Sequence, residues 1–356
     1  MSAIIDRVES FCRRFGLRLP ILLAPMAGAC PASLSIAVAN AGGLGSCGAL
    51  LMSPDEIRAW AGEVRAGSNG AVNLNIWIPD PAPARDLARE TRVRDFLAGW
   101  GPAVPAEAGD SRPPDFAAQC EAMLETGAPI LSSVMGLFPP EFVQRMKQRG
   151  TAWFANVSTV AEARAAEAAG ADVIVAQGME AGGHRGCFDA AAAERGMVGL
   201  FSLLPAVVDA VSVPVVATGG IADGRGVAAA LMLGASAAQI GTGFLRSPEA
   251  KTHPAWADAL ARTAPEATMV SRAFSGRAGR SIATDYVRAA TAADAPPPAP
   301  YPVQRGLTAA MRAAGAKAGD FHRMQVWAGQ SAALAPALPA GEIVERCWAD
   351  ARALLG

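Results

Sequence analysis

Val173-Ile174-Val175-Ala176-Gln177-Gly178-Met179-Glu180-Ala181-Gly182-Gly183-His184-Arg185-Gly186 sets a short apolar run directly against a glycine-rich loop. The run reads as a buried strand. A strand that ends in glycines and an imidazole is built like a reaction site. Glycine lets backbone N–H groups approach a ligand closely, and histidine can move a proton near neutral pH. Only 3 histidines occur in the chain. His253 and His322 lie in polar surroundings and are assigned no chemistry, which leaves His184.

Working outward, short apolar runs alternate with alanine-rich amphipathic stretches. Strands are expected at Pro20–Ala24, Leu44–Ser46, Ala71–Ile76, Pro129–Ser132, Ala152–Val157, Val173–Ala176, Val213–Ala217 and Ala237–Ile240. Helices are expected between them, for example at Ala32–Ala41 and Thr159–Ala169. Another is expected at Pro54–Arg65, with Ser53 as N-cap and Pro54 in the first helical position. Eight strands separated by helices indicate parallel βαβ units. The count favours a closed (β/α)8 TIM barrel, class α/β, over an open doubly wound sheet. In such a barrel function gathers after the strands. The glycine and polar signals fall there repeatedly, at Pro25-Met26-Ala27-Gly28, near Asn73, at Gln177–Gly186, at Thr218-Gly219-Gly220 and at Gly241-Thr242-Gly243.

The barrel is therefore assigned to residues 1–244, interrupted by a proline-rich, partly helical insertion over about 78–114. Residues 245–340 break the alternation and are expected to form a smaller, mostly helical region capping the barrel mouth. They contain Ser271-Arg272-Ala273-Phe274-Ser275-Gly276-Arg277 and a proline-rich stretch at 295–302. A last helix, within 341–356, is expected to return to the barrel wall.

Composition removes several classes of function. Hydrophobic residues make up 51% and charged residues 18%, which suits an extensive core and not a disordered chain. A net charge of −1 gives no electrostatic footprint for nucleic acid. The charged N-terminus does not resemble a secretory signal, and no run of 18 apolar residues predicts a membrane span. A reducing cytoplasm is the expected home. The 6 cysteines form no C-x-x-C pair, so they read as small buried residues, with Cys187 singled out because it adjoins the glycine loop. No H-x-x-x-H or carboxylate cluster predicts a metal. G-x-S-x-G, Walker A and strand-linked G-x-G-x-x-G motifs are missing.

The late-strand loops carrying Gly219, Gly220, Gly241 and Thr242 are where barrels commonly bind phosphate through backbone N–H groups. The alternative is two tight turns that need glycine for geometry alone. Gln177 and Asn73 offer side-chain amides, both donor and acceptor, as the edge of a flat heterocycle requires. Either could instead be satisfied by a neighbouring strand. Pro25, Met26 and Ala27 could pack against a planar ring, Met26 as a soft surface, or form a plain strand exit. His184 could be a general base, a partner to an anionic substrate or a structural loop residue.

Taken together, these residues resemble the nitronate monooxygenase family, formerly the 2-nitropropane dioxygenases. The resemblance runs from about Pro20 to Gln330. It rests on Ala24–Gly28, Val72-Asn73-Leu74, Gln177–Gly186, Thr218–Ile221, Gln239–Thr242 and Trp327-Ala328-Gly329-Gln330. It implies a flavoprotein holding FMN without a metal. Pro25, Met26, Ala27, Asn73, Gln177, Gly182, Gly183, Gly219, Gly220, Gln239, Gly241 and Thr242 would contact FMN, and His184 would face the substrate. It implies oxidation of alkyl nitronates, such as propionate 3-nitronate, by O2 to a carbonyl compound and nitrite. It allows a homodimer. The nearest competing activity is an FMN- and NAD(P)H-dependent enoyl-thioester or quinone reductase. Members often carry a Ser-Phe-His-Phe-Gly-type segment after the fourth strand. Here the segment is Ser132-Ser133-Val134-Met135-Gly136-Leu137-Phe138, without the histidine. Ser133, Tyr301 and Arg305 are the candidates for substrate contact.

Overall fold

The computed structural model describes residues 2–356. Eight parallel strands form the central sheet: β1 (Ile21–Leu23), β2 (Gly45–Gly48), β3 (Val72–Trp77), β4 (Ile130–Val134), β5 (Ala152–Val157), β6 (Val173–Gln177), β8 (Val215–Thr218) and β9 (Ala237–Ile240). A two-residue strand, β7 (Gly183–His184), lies outside this sheet. The sheet order is β1-β9-β8-β6-β5-β4-β3-β2. Its two edges meet through a parallel bridge between Leu22 and Leu44, with Leu23 N–H donating to Leu44 O at 2.9 Å and Leu44 N–H to Ile21 O at 3.1 Å. The fold is a TIM barrel with helices on its outside. Its strands are buried on both faces, which is why they read as near-continuous apolar runs.

One continuous core joins the barrel strands to the surrounding helices. The expected cap on Pro54–Gly67 is a full capping box: Glu56 N–H donates to Ser53 Oγ at 3.2 Å, and Ser53 N–H to Glu56 Oε2 at 2.7 Å. The final helix, Ala340–Leu355, buries Ile343, Val344, Cys347, Ala351 and Leu355 in the barrel core. The first helix, Ser2–Phe15, has no counterpart in the sequence reading. Its Phe11 and Phe15 pack on Phe154 of β5.

The insertion after β3 carries one helix, Leu87–Leu97, and a 3-10 turn at Ala106–Asp110. Val93 and Leu97 of that helix share a satellite core with Phe274, Tyr286, Val287, Val303, Leu307 and Met311. Beside its helices, the stretch 245–340 contains two antiparallel strands, β10 (Thr268–Ser271) and β11 (Gly279–Ile282). β11 also pairs with β7, His184 standing opposite Gly279. The glycine loop after β6 is thereby pinned to a chain segment almost a hundred residues later. No described helix is long and apolar enough to cross a membrane.

Candidate active site

A cavity of about 430 Å³ opens at the C-terminal ends of the barrel strands, where barrel chemistry is built. It is lined by Pro25, Met26 and Ala27 after β1, by Gln177, Gly182, Gly183 and His184 around β6 and β7, and by Gly219, Gly220, Gln239, Gly241 and Thr242 around β8 and β9. Tyr301 and Arg305 line its outer wall. The structure thus brings most of the residues singled out above into one space.

Two of them do not reach it. Asn73 lies on the inward face of β3, but deep in the barrel. Its Nδ2 donates to Ser46 Oγ at 3.3 Å, and the cavity is reached instead by Asn75 and Trp77, further along the same face. Asn75 Nδ2 in turn donates to Ser132 Oγ at 2.9 Å. Ser133 is displaced by parity: it points away from the cavity and accepts from Trp153 Nε1 at 3.0 Å, while Ser132 and Val134 line the wall. Asn75 and Ser132 line the cavity where Asn73 and Ser133 were expected to.

Gln177 lines the cavity, but much of its amide holds the loop that follows. Nε2 donates to His184 O at 3.1 Å, and Oε1 accepts from Gly186 N–H at 2.8 Å. Arg185 is fully buried and donates from Nη1 to Gly178 O at 2.8 Å, bracing the same loop. Gly182 allows the loop to pass against residues 328–329: a Cβ there would lie 2.5 Å from Gly329 N. Gly219 and Gly220 have φ values of +110° and +72°, which glycine adopts without a Cβ clash. Their N–H groups, like that of Gly241, are taken by no acceptor among the described residues. Thr242 Oγ1 accepts from Gly329 N–H at 3.0 Å, which leaves its own proton free. Asn156 Nδ2 is another buried cavity donor without a partner.

The imidazole of His184 sits between Trp77 and Trp327, each 4.8 Å away between ring centroids. Its Nε2 is 2.7 Å from Ser275 Oγ. Burial, together with the nearby Arg277 and Arg305 guanidinium groups, pushes its pKa down to about 3. His184 is therefore neutral across the physiological range. Arg277 is buried, lies over the Trp77 ring, and pairs with Asp80 at 3.1 Å. Arg312 also lines the cavity. It donates to Gln325 Oε1 at 3.2 Å and Arg305 O at 2.9 Å, both uncharged, and burial beside Arg305 lowers its pKa to about 10. Neither Arg305 nor Arg312 has a carboxylate partner among the described residues.

Trp77, Asn75, Asn156, Ser275, Arg277, Arg312 and Trp327 are thus site residues that the sequence reading either missed or left without a role. Cys187 adjoins the loop but is buried, and burial raises its thiol pKa, so it is not an activated nucleophile. All 6 cysteines are free and buried. No group of His, Cys, Asp and Glu able to hold a metal occurs among the described residues.

A TIM barrel with a glycine-lined, cation-walled cavity at its C-terminal mouth defines a barrel enzyme. The profile of the nitronate monooxygenase family matches residues 11–350, and the chain belongs to that family of oxidoreductases. It is 39% identical to the nitronate monooxygenase of Paraburkholderia phytofirmans over 335 residues, covering 92% of this chain and 91% of the relative. It is 34% identical over 331 residues to a probable nitronate monooxygenase of Staphylococcus aureus, covering 92% and 93%. Among solved structures, nitroalkane oxidase from Streptomyces ansochromogenes superposes with a TM-score of 0.86 at 36% identity, covering 98% of this chain and all of the other. FabK from Thermotoga maritima superposes with a TM-score of 0.75 at 28% identity, covering 97% and 96%.

Proposed function

We propose that this protein oxidises alkyl nitronates, propionate 3-nitronate among them, with molecular oxygen to a carbonyl compound and nitrite, using FMN. Family membership supports the reaction class. The structural observation that carries the reading is the charge of the cavity wall. Arg305 and Arg312 line the same cavity as a neutral His184, and neither has a carboxylate partner among the described residues. A low-dielectric pocket with surplus cations concentrates anions, and a nitronate is an anion where the parent nitroalkane is not.

The residues present fit FMN. The free N–H groups of Gly219, Gly220 and Gly241, with the Thr242 hydroxyl, form a donor set suited to a phosphate. Asn156 Nδ2, buried without a partner, suits an acceptor on the ring edge. Pro25, Met26, Ala27, Gln177, Gly182, Gly183 and Gln239 would hold the remainder. A cavity of about 430 Å³ lies within the range of cofactor and ligand sites. When bound, FMN supplies the electron-accepting ring of the reaction.

The chain's own residues then bind, orient and shield. Arg305 and Arg312 draw in the anion. His184, being neutral, is not the charge partner; its unprotonated nitrogen takes the α-proton of a neutral nitroalkane. Trp77, Tyr301 and Trp327 wall off water, and residues 245–340 cap the mouth. The test is an absorbance spectrum of the purified protein followed by aerobic assay. A yellow protein that consumes O2 and releases nitrite from propionate 3-nitronate is expected. A yellow protein inert to nitronates, whose colour bleaches anaerobically with NADH or NADPH, overturns the reading in favour of an enoyl-thioester or quinone reductase.

A further inference from the structure

The Ser271–Arg277 segment reaches the His184 ring through one hydroxyl. Ser275 is buried, and its Oγ lies 2.7 Å from Nε2 of His184. Two more contacts fix that hydroxyl. It accepts from the backbone N–H of Arg277 at 3.3 Å and is placed 3.2 Å from Arg277 O, to which it donates. A hydroxyl has one proton to give and two lone pairs to offer. Suppose the proton went to His184 Nε2. Arg277 O would then lose its one described donor, in a residue 2% exposed. Buried carbonyls are rarely left in that state. With the proton on Arg277 O, the hydroxyl's remaining lone pair must receive a proton from His184 Nε2. Every donor and acceptor in the triad is then satisfied.

The ring has little freedom to escape this arrangement. Trp77 and Trp327 flank it at 4.8 Å. Its backbone is held by pairing with Gly279 and by the Gln177 amide. Rotating the imidazole would break the 2.7 Å bond to Ser275 Oγ.

We infer that Ser275 is the positioning residue of this site: it holds His184 as the tautomer protonated at Nε2 and leaves Nδ1 as the nitrogen that accepts a hydrogen bond or proton. Burial, and after it the nearby Arg277 and Arg305 charges, keep the ring neutral, so the tautomer and not the charge sets what His184 can do. The consequence for turnover rests on the nitronate-oxidation reading. The tautomer itself does not.

The experiment is nitrogen NMR of the holoenzyme labelled with 15N-histidine, the His184 signals being identified by their loss in His184→Gln. Wild type is expected to show a protonated Nε2 and an unprotonated Nδ1. Ser275→Ala should give a mixture of tautomers, and Ser275→Thr, which keeps the hydroxyl, should restore one. Proton abstraction from a neutral nitroalkane should fall at least about tenfold in Ser275→Ala, a modest part of what a positioned base contributes, and should recover in Ser275→Thr. A wild-type spectrum with the proton on Nδ1 overturns the inference, as does an unchanged tautomer in Ser275→Ala. If either variant fails to fold, the wild-type spectrum still decides. A protein inert to nitronates but showing the Nε2-protonated ring would sink the functional reading and leave this one standing.

Discussion

Trp77 and Tyr301 stack with ring centroids 4.7 Å apart and planes 25° from parallel. Trp77 is the last residue of β3, and Tyr301 lies within the proline-rich stretch at 295–302, so the contact ties the barrel to that stretch in the cavity wall. An aromatic pair of this kind adds about 0.5–1.5 kcal/mol beyond area burial. Tyr301→Ala should therefore raise KM for nitronates about two- to tenfold by loosening the wall, while Tyr301→Phe, which keeps the stack, should stay near wild type. Steady-state kinetics with propionate 3-nitronate make the check. Equal losses in both variants would transfer the effect from the ring to the hydroxyl.

Arg305 lines the cavity with no carboxylate against its guanidinium among the described residues. A hydrogen bond to a charged group contributes about 1.5–3 kcal/mol. Arg305→Met should raise KM for anionic nitronates by about tenfold or more, weaken the salt dependence of kcat/KM, and leave binding of a neutral nitroalkane nearly unchanged. Parallel losses for the charged and neutral substrates would show that the residue shapes the pocket and does not read charge.

Gly182 tests the cofactor cradle. Its hypothetical Cβ runs into the Ala328–Gly329 peptide bond, Gly329 N at 2.5 Å and Ala328 C at 2.7 Å, and backbone yields less readily than a side chain. Gly182→Ala should cost about 1–3 kcal/mol of stability through overpacking and lower the flavin-to-protein ratio after gel filtration. At the neighbouring Gly183 nothing lies within 4 Å, but φ is +76°. Alanine there should cost about 1–2 kcal/mol through backbone strain alone. Full flavin retention by Gly182→Ala would remove residues 182 and 329 from the cradle.

These residues also show what a sequence can and cannot disclose. The barrel strands were legible because strands buried on both faces must be apolar throughout. The glycine loops were legible because they follow those strands. Depth was not. Asn73 and Asn75 share a face, and only the position of the barrel mouth decides which one meets the cavity. Parity failed at Ser132-Ser133 because two adjacent serines carry no hydrophobic contrast to mark the inward side. Ser275 and Arg277 stayed silent because their partners, His184 and Asp80, lie 91 and 197 residues away. A non-local antiparallel pairing of β7 with β11 brings the first of these contacts into being, and a two-residue strand leaves no periodic trace.

The depressed pKa of His184 makes a stability prediction with a definite sign. In the unfolded chain the imidazole titrates near its ordinary value of about 6.5. In the fold, burial and then the Arg277 and Arg305 charges bring it down to about 3. Between those values the unfolded state binds a proton that the native state does not, so stability falls as pH is lowered from about 6.5 toward 3. Above about 6.5 both states are neutral, and His184 adds no pH dependence. From pH 7 to pH 5 the difference amounts to about 2 kcal/mol. His184→Gln removes the group that titrates. Its unfolding free energy should therefore fall less than that of wild type over this interval, by about that amount, when both are measured by urea denaturation. Parallel losses in the two proteins would mean that His184 titrates normally in the fold. The neutral imidazole assigned to the active site would then be wrong, and a charged His184 would join the arginines as an anion partner.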